Sequence, residues 1–312
     1  MTFRHAVSAL AALLLLTPSP DPHGRAGAEA FRILAWNVES NRPGAAPVSD
    51  ASVLSHELTA LLQVPATRAQ IVALSEVEPR TVPLYRQAVA AGLGTEVDFV
   101  TSASGGFRDS DSLLLVVDTT RFSIEHVFEL HRYADIPANF VVMDEASADY
   151  GTIRARSPLV ARLRDRTGGP FWLIVNHLAR GEDDLRVDQA RALRQWAQDH
   201  ADEPVITAGD FNFDYDFRSG RGNAAFDAML EGGVWQWLRP DPLIDSNWTD
   251  DRDHPGQDRY PDSILDFVFV ANGARTWKGE SDVIVRPNDF PDSAETSDHR
   301  PIMATFDPPA PH

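Results

Sequence analysis

The chain has 312 residues, of which 43% are hydrophobic and 24% charged, as is ordinary for a globular protein with a sizeable core. Its 46 acidic residues outnumber its 28 basic ones and give a formal net charge of −18, so long-range electrostatics oppose tight, non-specific binding to nucleic acid or to an anionic membrane. The absence of cysteine excludes disulfides, thiolate catalysis and cysteine-bound iron–sulfur clusters.

The first thirty residues have the pattern of a secretory signal peptide. A basic Arg4 precedes an apolar run over residues 6–16, which is too short to span a bilayer, and small residues then offer cleavage sites after Ala28 or Ala30. We therefore expect residues 1–30 to be a signal peptide with a short spacer. The mature protein is expected to be periplasmic or secreted.

The remaining sequence predicts one α/β domain over residues 31–307, followed by a short tail at 308–312. Apolar, β-branched runs alternate with helix-like segments, without an internal repeat, a linker or a later membrane span. In chain order the predicted elements are the strand Phe31–Val38, the helix Ser52–Gln63, the strand Gln70–Val77, the helix Arg80–Ala91, the strands Ser112–Asp118, Leu159–Leu163 and Phe171–His177, the helix Asp183–Gln198, the strand Val205–Ala208, the helix Ala224–Glu231, and the strands Ile264–Val270 and Pro301–Phe306. Several of these strands are apolar almost throughout, which is typical of sheets covered on both faces.

Polar side chains stand where several of these strands end. Asn37, Glu76 and His177 close three of them, and Asp210 and Asn212 follow a fourth in the motif GDFN. The carboxyl ends of parallel strands share one edge of a sheet, where open α/β sheets bind ligands. The pattern therefore predicts a polar site at that edge.

Two further features point to the same edge. Asp298 and His299 precede the last predicted strand, and an antiparallel orientation of that strand would bring them there. Asp266 lies inside the apolar run ILDFVFV, where an unpaired charge would be costly and a histidine on a neighbouring strand would be a natural partner. Each polar residue alone also has a structural interpretation, as a turn, a cap or a core hydrogen bond. Their joint occurrence favours a site.

The chemistry of this set narrows the function. The sequence contains neither a Gly-x-Ser-x-Gly nucleophile motif nor a glycine-rich phosphate loop that opens a helix. Carboxylate and amide oxygens suit a hard divalent cation, Mg²⁺ first, with Mn²⁺ or Ca²⁺ as alternatives. Phosphoester hydrolysis fits this inventory. Acid–base catalysis lowers the activation barrier by only about 3–5 kcal/mol. Such slow reactions can require a reduction of more than roughly 20 kcal/mol. A metal is therefore favoured.

Six motifs occur in the order that is typical of one family. They are AWNVE around Asn37, LSEVE around Glu76, NHL at residues 176–178, GDFN, LDFVFV around Asp266, and SDHRP. From about residue 31 to residue 306 the chain resembles the endonuclease/exonuclease/phosphatase superfamily, which has the deoxyribonuclease I-like fold. The resemblance implies a four-layer α/β sandwich, with two packed mixed β-sheets flanked by helices, and metal-dependent hydrolysis of phosphodiesters or phosphomonoesters.

The resemblance also implies which residues bind the metal and the phosphate. Glu76 would be the principal ligand of the divalent metal, with Asn37 and Asp298 near it. Arg156 resembles the family's phosphate-contacting arginine, with a solvated arginine as the alternative. Asp111 lies where relatives often have a longer acid or an amide that supports the first histidine, and its shorter side chain departs from that pattern.

The other residues would carry the catalytic roles. By resemblance, Asp210 would orient or deprotonate the attacking water, and Asn212 would hold that water or a phosphate oxygen. His299, steadied by Asp266, would act as an acid–base group or a phosphate contact, and His177 would be the second histidine beside it. The division between base, acid and oxyanion stabiliser stays open at this point.

The substrate also stays open. Members of the family cleave DNA, RNA, phosphoinositides and sphingomyelin, and here residues 213–263 carry Trp235, Trp237 and Trp248 among many aspartates. These tryptophans could stack on bases or meet a lipid surface, although core packing is their more common use. We expect an exported, monomeric phosphodiester hydrolase, first of all an endonuclease or exonuclease, without a stable protein partner. A phospholipid or small-phosphoester hydrolase and a non-catalytic binding module are the alternatives.

Overall fold

The computed structural model of the protein describes about four fifths of the predicted domain. The described residues are 29–38, 50–103, 112–141, 153–154, 156–247, 263–287 and 296–309. The expected signal peptide over residues 1–28, Asp111, Trp248 and the end of the expected tail at 310–312 lie outside them. None of the described helices combines the length and the apolar character that a membrane crossing requires.

Strands make up most of the regular structure in the described residues. In chain order the elements are β1 (Phe31–Asn37), α1 (Ala51–Gln63), β2 (Ile71–Val77), α2 (Val82–Leu93), β3 (Val97–Thr101), β4 (Ser112–Asp118), β5 (Phe122–Glu129), β6 (Arg132–Tyr133), β7 (Ile136–Pro137), β8 (Phe140–Val141), β9 (Ile153–Arg154), β10 (Leu159–Asp165), β11 (Gly169–His177), α3 (Asp183–Asp199), β12 (Val205–Asp216), α4 (Ala224–Leu230), β13 (Trp235–Trp237), β14 (Ser263–Ala271), β15 (Glu280–Val283) and β16 (Ile302–Phe306). All the predicted strands and helices are present. The main difference is β12, which continues through the GDFN motif instead of ending at Ala208.

The longer strands form two six-stranded mixed sheets. The first sheet has the spatial order β15, β16, β1, β2, β4, β3, and the second has the order β13, β14, β12, β11, β10, β5. Each sheet contains one parallel pair, β1 with β2 and β11 with β12, and its other neighbouring strands are antiparallel. Both strands of a parallel pair therefore end at one edge, where their antiparallel neighbours β4, β10, β14 and β16 begin.

Three apolar clusters separate four layers. Side chains between the sheets include Phe31, Ile33, Ile71, Leu115, Leu159, Leu173, Ile206, Val268 and Phe306. The outer face of the first sheet packs on α1 and α2 through Leu34, Trp36, Val72, Leu114, Leu54, Leu58, Tyr85 and Val89. The outer face of the second sheet packs on α3 and α4 through Val160, Ile174, Phe267, Leu193, Trp196, Phe226 and Met229. This arrangement confirms the predicted four-layer α/β sandwich.

Local sequence signals determine where the flanking helices begin and end. At the start of α1 the Asp50 carboxylate accepts a hydrogen bond from the backbone N–H of Ser52 at 2.7 Å, which caps the helix. At the end of α2, Gly94 adopts φ 67°, the left-handed conformation that terminates many helices. These two signals define the start of α1 and the end of α2, the helices that pack on the first sheet.

A buried arginine fastens the first described residues to the domain. Arg121 is 8% exposed and forms an ion pair with Asp165, with Nη2 and Oδ2 2.8 Å apart. Its remaining donors reach the carbonyl oxygens of Glu29 and Ala30. The guanidinium also lies over the ring of Phe31 at 5.3 Å from its centroid. The backbone of residues 29 and 30 is therefore part of the folded domain.

We expect a chain that begins at Glu29 to be more stable than one that begins at Phe31. Loss of the two carbonyl acceptors leaves buried N–H groups of Arg121 unsatisfied, which costs about 1–3 kcal/mol. Urea unfolding of the two chains measures the difference. Replacing Glu29→Ala in the longer chain is the control, because it keeps the carbonyl and should leave stability unchanged. Equal midpoints for the two chain starts would contradict this role of Arg121.

Candidate active site

The polar residues predicted at the strand ends meet at one end of the sandwich, where both sheets contribute. They are Asn37 of β1, Glu76 of β2, His177 of β11, Asp210 and Asn212 of β12, Asp266 of β14, and Asp298 and His299 before β16. Arg156 joins them from the segment before β10, as its contact with His177 shows. Asp111 lies outside the described residues, so its predicted support of a histidine stays a prediction.

The amide of Asn37 links the two sheets. Its Nδ2 atom donates to Glu76 Oε1 at 3.2 Å and to Asp210 Oδ2 at 3.1 Å, and it lies 3.5 Å from His299 Nε2. Glu76 belongs to the same sheet as Asn37 and Asp210 to the other, so one donor group brings carboxylates of both sheets together. The backbone oxygen of Asn37 accepts from the Ser297 hydroxyl at 2.5 Å, which ties β1 to the segment before β16.

Asp266 and His299 form a buried pair. His299 Nδ1 lies 2.7 Å from Asp266 Oδ2, and both residues are at most 2% exposed. On the other side of the ring, Nε2 lies 3.8 Å from Asp210 Oδ2 and 3.7 Å from Asp298 Oδ1. The imidazole therefore lies among three carboxylates, and Asp266 has the histidine partner that its place in an apolar strand requires.

Burial and neighbouring charges shift the proton affinities of two of these groups. Burial, opposed by the charge of His299 and reinforced by that of Asp266, raises the pKa of Asp210 to about 6. Burial alone would lower the pKa of His299, but the carboxylates of Asp266, Asp298 and Asp210 together raise it well above its ordinary value. The charged imidazole therefore offsets the repulsion between the acids that surround it.

His177 occupies the other side of Asp210. Its Nε2 atom lies 3.3 Å from Glu76 Oε1 and 3.6 Å from Asp210 Oδ2. Arg156 Nη1 lies 2.7 Å from the same Nε2 atom and donates to Leu178 O at 3.0 Å. A guanidinium can only donate, so Arg156 is the donor in this contact and Nε2 the acceptor. Arg156 is thereby directed into the cluster and is not a freely solvated surface residue.

The GDFN motif makes the tightest backbone approach in the site. Gly209 has φ 129°, and a Cβ atom there would lie 2.3 Å from the carbonyl oxygen of Asn176 on β11. Asn212 has φ 52°, a conformation that few side chains adopt. It is stabilised by Asp210 Oδ1, which accepts from Asn212 N at 2.9 Å, and by Asn223 Nδ2, which donates to Asn212 O at 2.9 Å. Glycine is therefore needed at the first position of the motif.

Glu76 also has an unusual backbone. Its φ is 55°, and the pairing of β2 with β4 is irregular between Leu74 and Val77. A non-glycine residue in this conformation costs about 1–3 kcal/mol and persists where the surrounding structure enforces it, often at functional sites. The irregularity turns the Glu76 side chain, which is 13% exposed, towards His177.

Several supporting residues were not identified from the sequence. Ser297 begins the SDHRP motif without a predicted role, yet its hydroxyl accepts from His299 N at 3.0 Å. Trp36 has the pattern of a core residue, yet its indole N–H donates to His299 O at 2.9 Å.

Gln189 of α3 is fully buried, which the helical pattern alone does not reveal. Its amide accepts from Ala179 N at 2.8 Å and donates to the carbonyl oxygens of Ala138 at 2.8 Å and Arg156 at 3.1 Å. The contacts of Trp36 and Gln189 join positions ten or more residues apart in sequence, so no local signal indicates them.

The oxygen donors of the cluster fit a hard divalent cation. The side chains of Glu76 and Asp298 are 13% and 26% exposed, so both carboxylates remain accessible from solvent. Within the described ranges, no three His, Asp or Glu side chains are grouped closely enough to hold an ion by themselves. Mg²⁺ does not require such a cage, because it keeps several waters and is usually bound through one or two carboxylates and substrate phosphates.

Comparison with known sequences places the chain among phosphoester-cleaving enzymes. A model of the Endonuclease/Exonuclease/phosphatase family matches residues 34–299, which include every member of the candidate site. No curated protein sequence matches the chain.

Solved structures show the same fold. An endonuclease/exonuclease/phosphatase family protein from Bacteroides thetaiotaomicron matches with a TM-score of 0.63 and 14% identity, over 89% of this chain and 98% of that one. A mannosyl-6-phosphatase from the same bacterium gives 0.60 and 16%, over 88% and 99%. D. rerio TDP2, complexed with a single-strand DNA product, gives 0.60 and 17%, over 89% and 98%. At these identities the likeness shows the fold alone.

We expect Gly209→Ala to destabilise the protein by at least about 2 kcal/mol. The new Cβ would overlap the backbone of Asn176 and require a positive φ, and overpacking and backbone strain each cost roughly 1–3 kcal/mol. Gly220→Ala is the matched control, because Gly220 also has a positive φ, 65°, but the nearest atom to its Cβ is Tyr215 Oη at 3.8 Å. Equal losses in urea unfolding would show that the close approach is unimportant.

Proposed function

Because the chain belongs to the endonuclease/exonuclease/phosphatase family, we propose that it is a divalent-metal-dependent hydrolase of phosphoesters, with phosphodiesters as its first substrate class. The observation that carries the proposal is the meeting of Glu76, Asp210 and both histidines around Asn37 at the junction of the two sheets. A protein that kept the fold only for binding would not require this complete set of acids, amides and histidines.

Glu76 and Asp298 are the proposed metal-holding carboxylates, with Asn37 beside them. When bound there, a hard cation would neutralise charge on the phosphate and on the leaving oxygen. Asn37 donates to Glu76, and this contact orients the carboxylate. The exposure of both acids supports the assignment, because a phosphate from solvent has to reach the same place.

Asp210 and Asn212 are the proposed groups for the attacking water. Asp210 Oδ2 is the atom on which Asn37, His177 and His299 converge, at 3.1, 3.6 and 3.8 Å. A water bound at this carboxylate would be oriented, and its proton would pass to Asp210. The backbone N–H of Asn212 donates to Asp210, and its Nδ2 donates one proton to Leu178 O at 3.1 Å. The rest of this fixed amide would hold the water or a phosphate oxygen.

The two histidines and Arg156 complete the proposed phosphate site. His299 Nε2, on the face opposite Asp266, would donate a proton or a hydrogen bond to a phosphoryl or leaving oxygen. Arg156 would supply a positive charge to a phosphate oxygen, since its guanidinium already reaches His177 at 2.7 Å. His177, which Arg156 contacts, is proposed as the second histidine of the site.

Nucleic acid is the first proposed substrate, and a small phosphoester is the second. The similarity of the fold to D. rerio TDP2, which was solved with a DNA product, supports the first. The net charge of −18 favours the second, because it opposes tight binding of a polyanion. The mannosyl-6-phosphatase has the same fold. A phospholipid is the third substrate class to be tested.

We also propose that the protein is exported and cleaved after Ala28. Cleavage there leaves Glu29 and Ala30 attached to Arg121, whereas cleavage after Ala30 removes both contacts. N-terminal sequencing of the exported protein distinguishes the two starts.

Purified mature protein should hydrolyse at least one substrate with Mg²⁺, Mn²⁺ or Ca²⁺ and lose this activity in EDTA. The substrates are plasmid DNA, RNA, sphingomyelin, bis(p-nitrophenyl) phosphate and p-nitrophenyl phosphate. Restoring the metal should restore the rate, because the protein supplies few groups that can neutralise phosphate charge. Intact substrates with every metal would refute the proposed function, and full activity in EDTA would refute the metal.

His299→Gln should lower turnover by about 10²- to 10⁴-fold, the usual contribution of an acid–base group. Metal binding, measured by calorimetry, should change little, because the proposed ligands remain. His126→Gln is the control, since His126 is an exposed histidine on β5. An unchanged rate in His299→Gln would exclude this role of the imidazole.

A further inference from the structure

Ser246 is a buried serine beside the Asp266–His299 pair. It is 0% exposed, and its backbone is bonded on both sides. Its N–H donates to Ser263 O at 3.2 Å, and its carbonyl oxygen accepts from Arg300 N at 2.8 Å. Ser246 is therefore fixed relative to β14, which carries Asp266, and relative to the segment that carries His299.

The hydrogen bonds of the Ser246 hydroxyl determine where its proton points. The oxygen accepts from two backbone groups, Leu265 N at 3.0 Å and Asp266 N at 3.1 Å. A hydroxyl has two acceptor positions and one proton, and backbone N–H groups cannot accept. The proton is left for Asp266 Oδ2, which lies 2.8 Å away.

The same carboxylate oxygen holds the histidine. Asp266 Oδ2 contacts both Ser246 Oγ, at 2.8 Å, and His299 Nδ1, at 2.7 Å. Among the described residues, the buried Oδ1 atom of Asp266 has no hydrogen-bond partner. Ser246 and His299 therefore both hold the Asp266 carboxylate through one oxygen. Without the Ser246 hydroxyl, only the contact with His299 would limit the rotation of this carboxylate.

We propose that Ser246 is a positioning residue that acts through Asp266 on His299. It holds the carboxylate so that Nδ1 of His299 stays bonded to Asp266 and Nε2 faces Asn37 and Asp210. The inference rests on the proposed function, since it assigns Ser246 to the same reaction. Ser246 itself does not reach the phosphate site, because its oxygen is fully engaged behind the pair.

Ser246→Ala should lower kcat by about 10- to 100-fold and leave KM within about threefold. Losses of this size are usual when the hydrogen-bond partner that orients a site residue is removed. The substrate is whichever member of the panel the wild-type protein cleaves. Ser281→Ala is the matched control, because Ser281 is 5% exposed and donates to Leu238 O at the edge strand β15, outside the site. It should keep the wild-type kcat. A wild-type kcat in Ser246→Ala would overturn the inference.

A double-mutant comparison separates positioning from a general structural role. If Ser246 acts only through Asp266, adding Ser246→Ala to Asp266→Asn should lower kcat no further, because groups that act as a unit are not additive. A further loss of the size seen in the single variant would contradict the inference. If Ser246→Ala does not fold, Ser246→Cys keeps a similar shape with a weak donor. A wild-type kcat in that variant would also contradict it.

A measurement that needs no activity keeps this inference distinct from the proposed function. In the NMR spectrum, the Nδ1 proton of His299 is identified as the imidazole signal absent from His299→Gln. It should shift in Ser246→Ala and remain in place in Ser281→Ala. An unchanged signal would refute the positioning role even in a protein that hydrolyses nothing. Inactivity of the wild-type protein with a shifted signal would refute only the proposed function.

Discussion

The apolar core between the two sheets fixes the distance across which the candidate site is built. Side chains such as Ile33, Leu173 and Ile206 are buried between the sheets, and sheets packed face to face lie about 10 Å apart. At that spacing, polar side chains at facing strand ends meet directly, as Asn37 does with Asp210. Neither sheet carries the whole site, so its geometry depends on their packing.

Burial at this junction makes the charged groups depend on one another. Asp210 and Asp266 are cross-strand partners on β12 and β14, a pairing that repulsion would normally disfavour. His299 contacts Asp266 and lies near Asp210, while Asn37 donates to Asp210. Removing one member leaves a buried carboxylate without compensation. This interdependence explains why each residue alone is weak evidence for a site and the set is strong evidence.

Much of the fold was predictable because strands covered on both faces are apolar almost throughout, as the sequence of β2 shows. Asp266 was the clearest pointer to the site, since a carboxylate in such a strand needs a partner. The continuation of β12 past Ala208 was not predictable, because Gly, Asp and Asn are depleted in strands and pairing with β14 overrides that preference. Ser246 was missed because its bonds join positions about twenty residues apart in sequence, which leave no periodic pattern.

Gln189 supports the candidate site from a position outside it. It lies on a helix behind the second sheet and holds the backbone at Ala138, Arg156 and Ala179. The backbone at Arg156 and the backbone just after His177 are thus anchored from the interior of the domain. Surface segments beyond these anchors can gain or lose residues while the residues of the candidate site keep their relative positions.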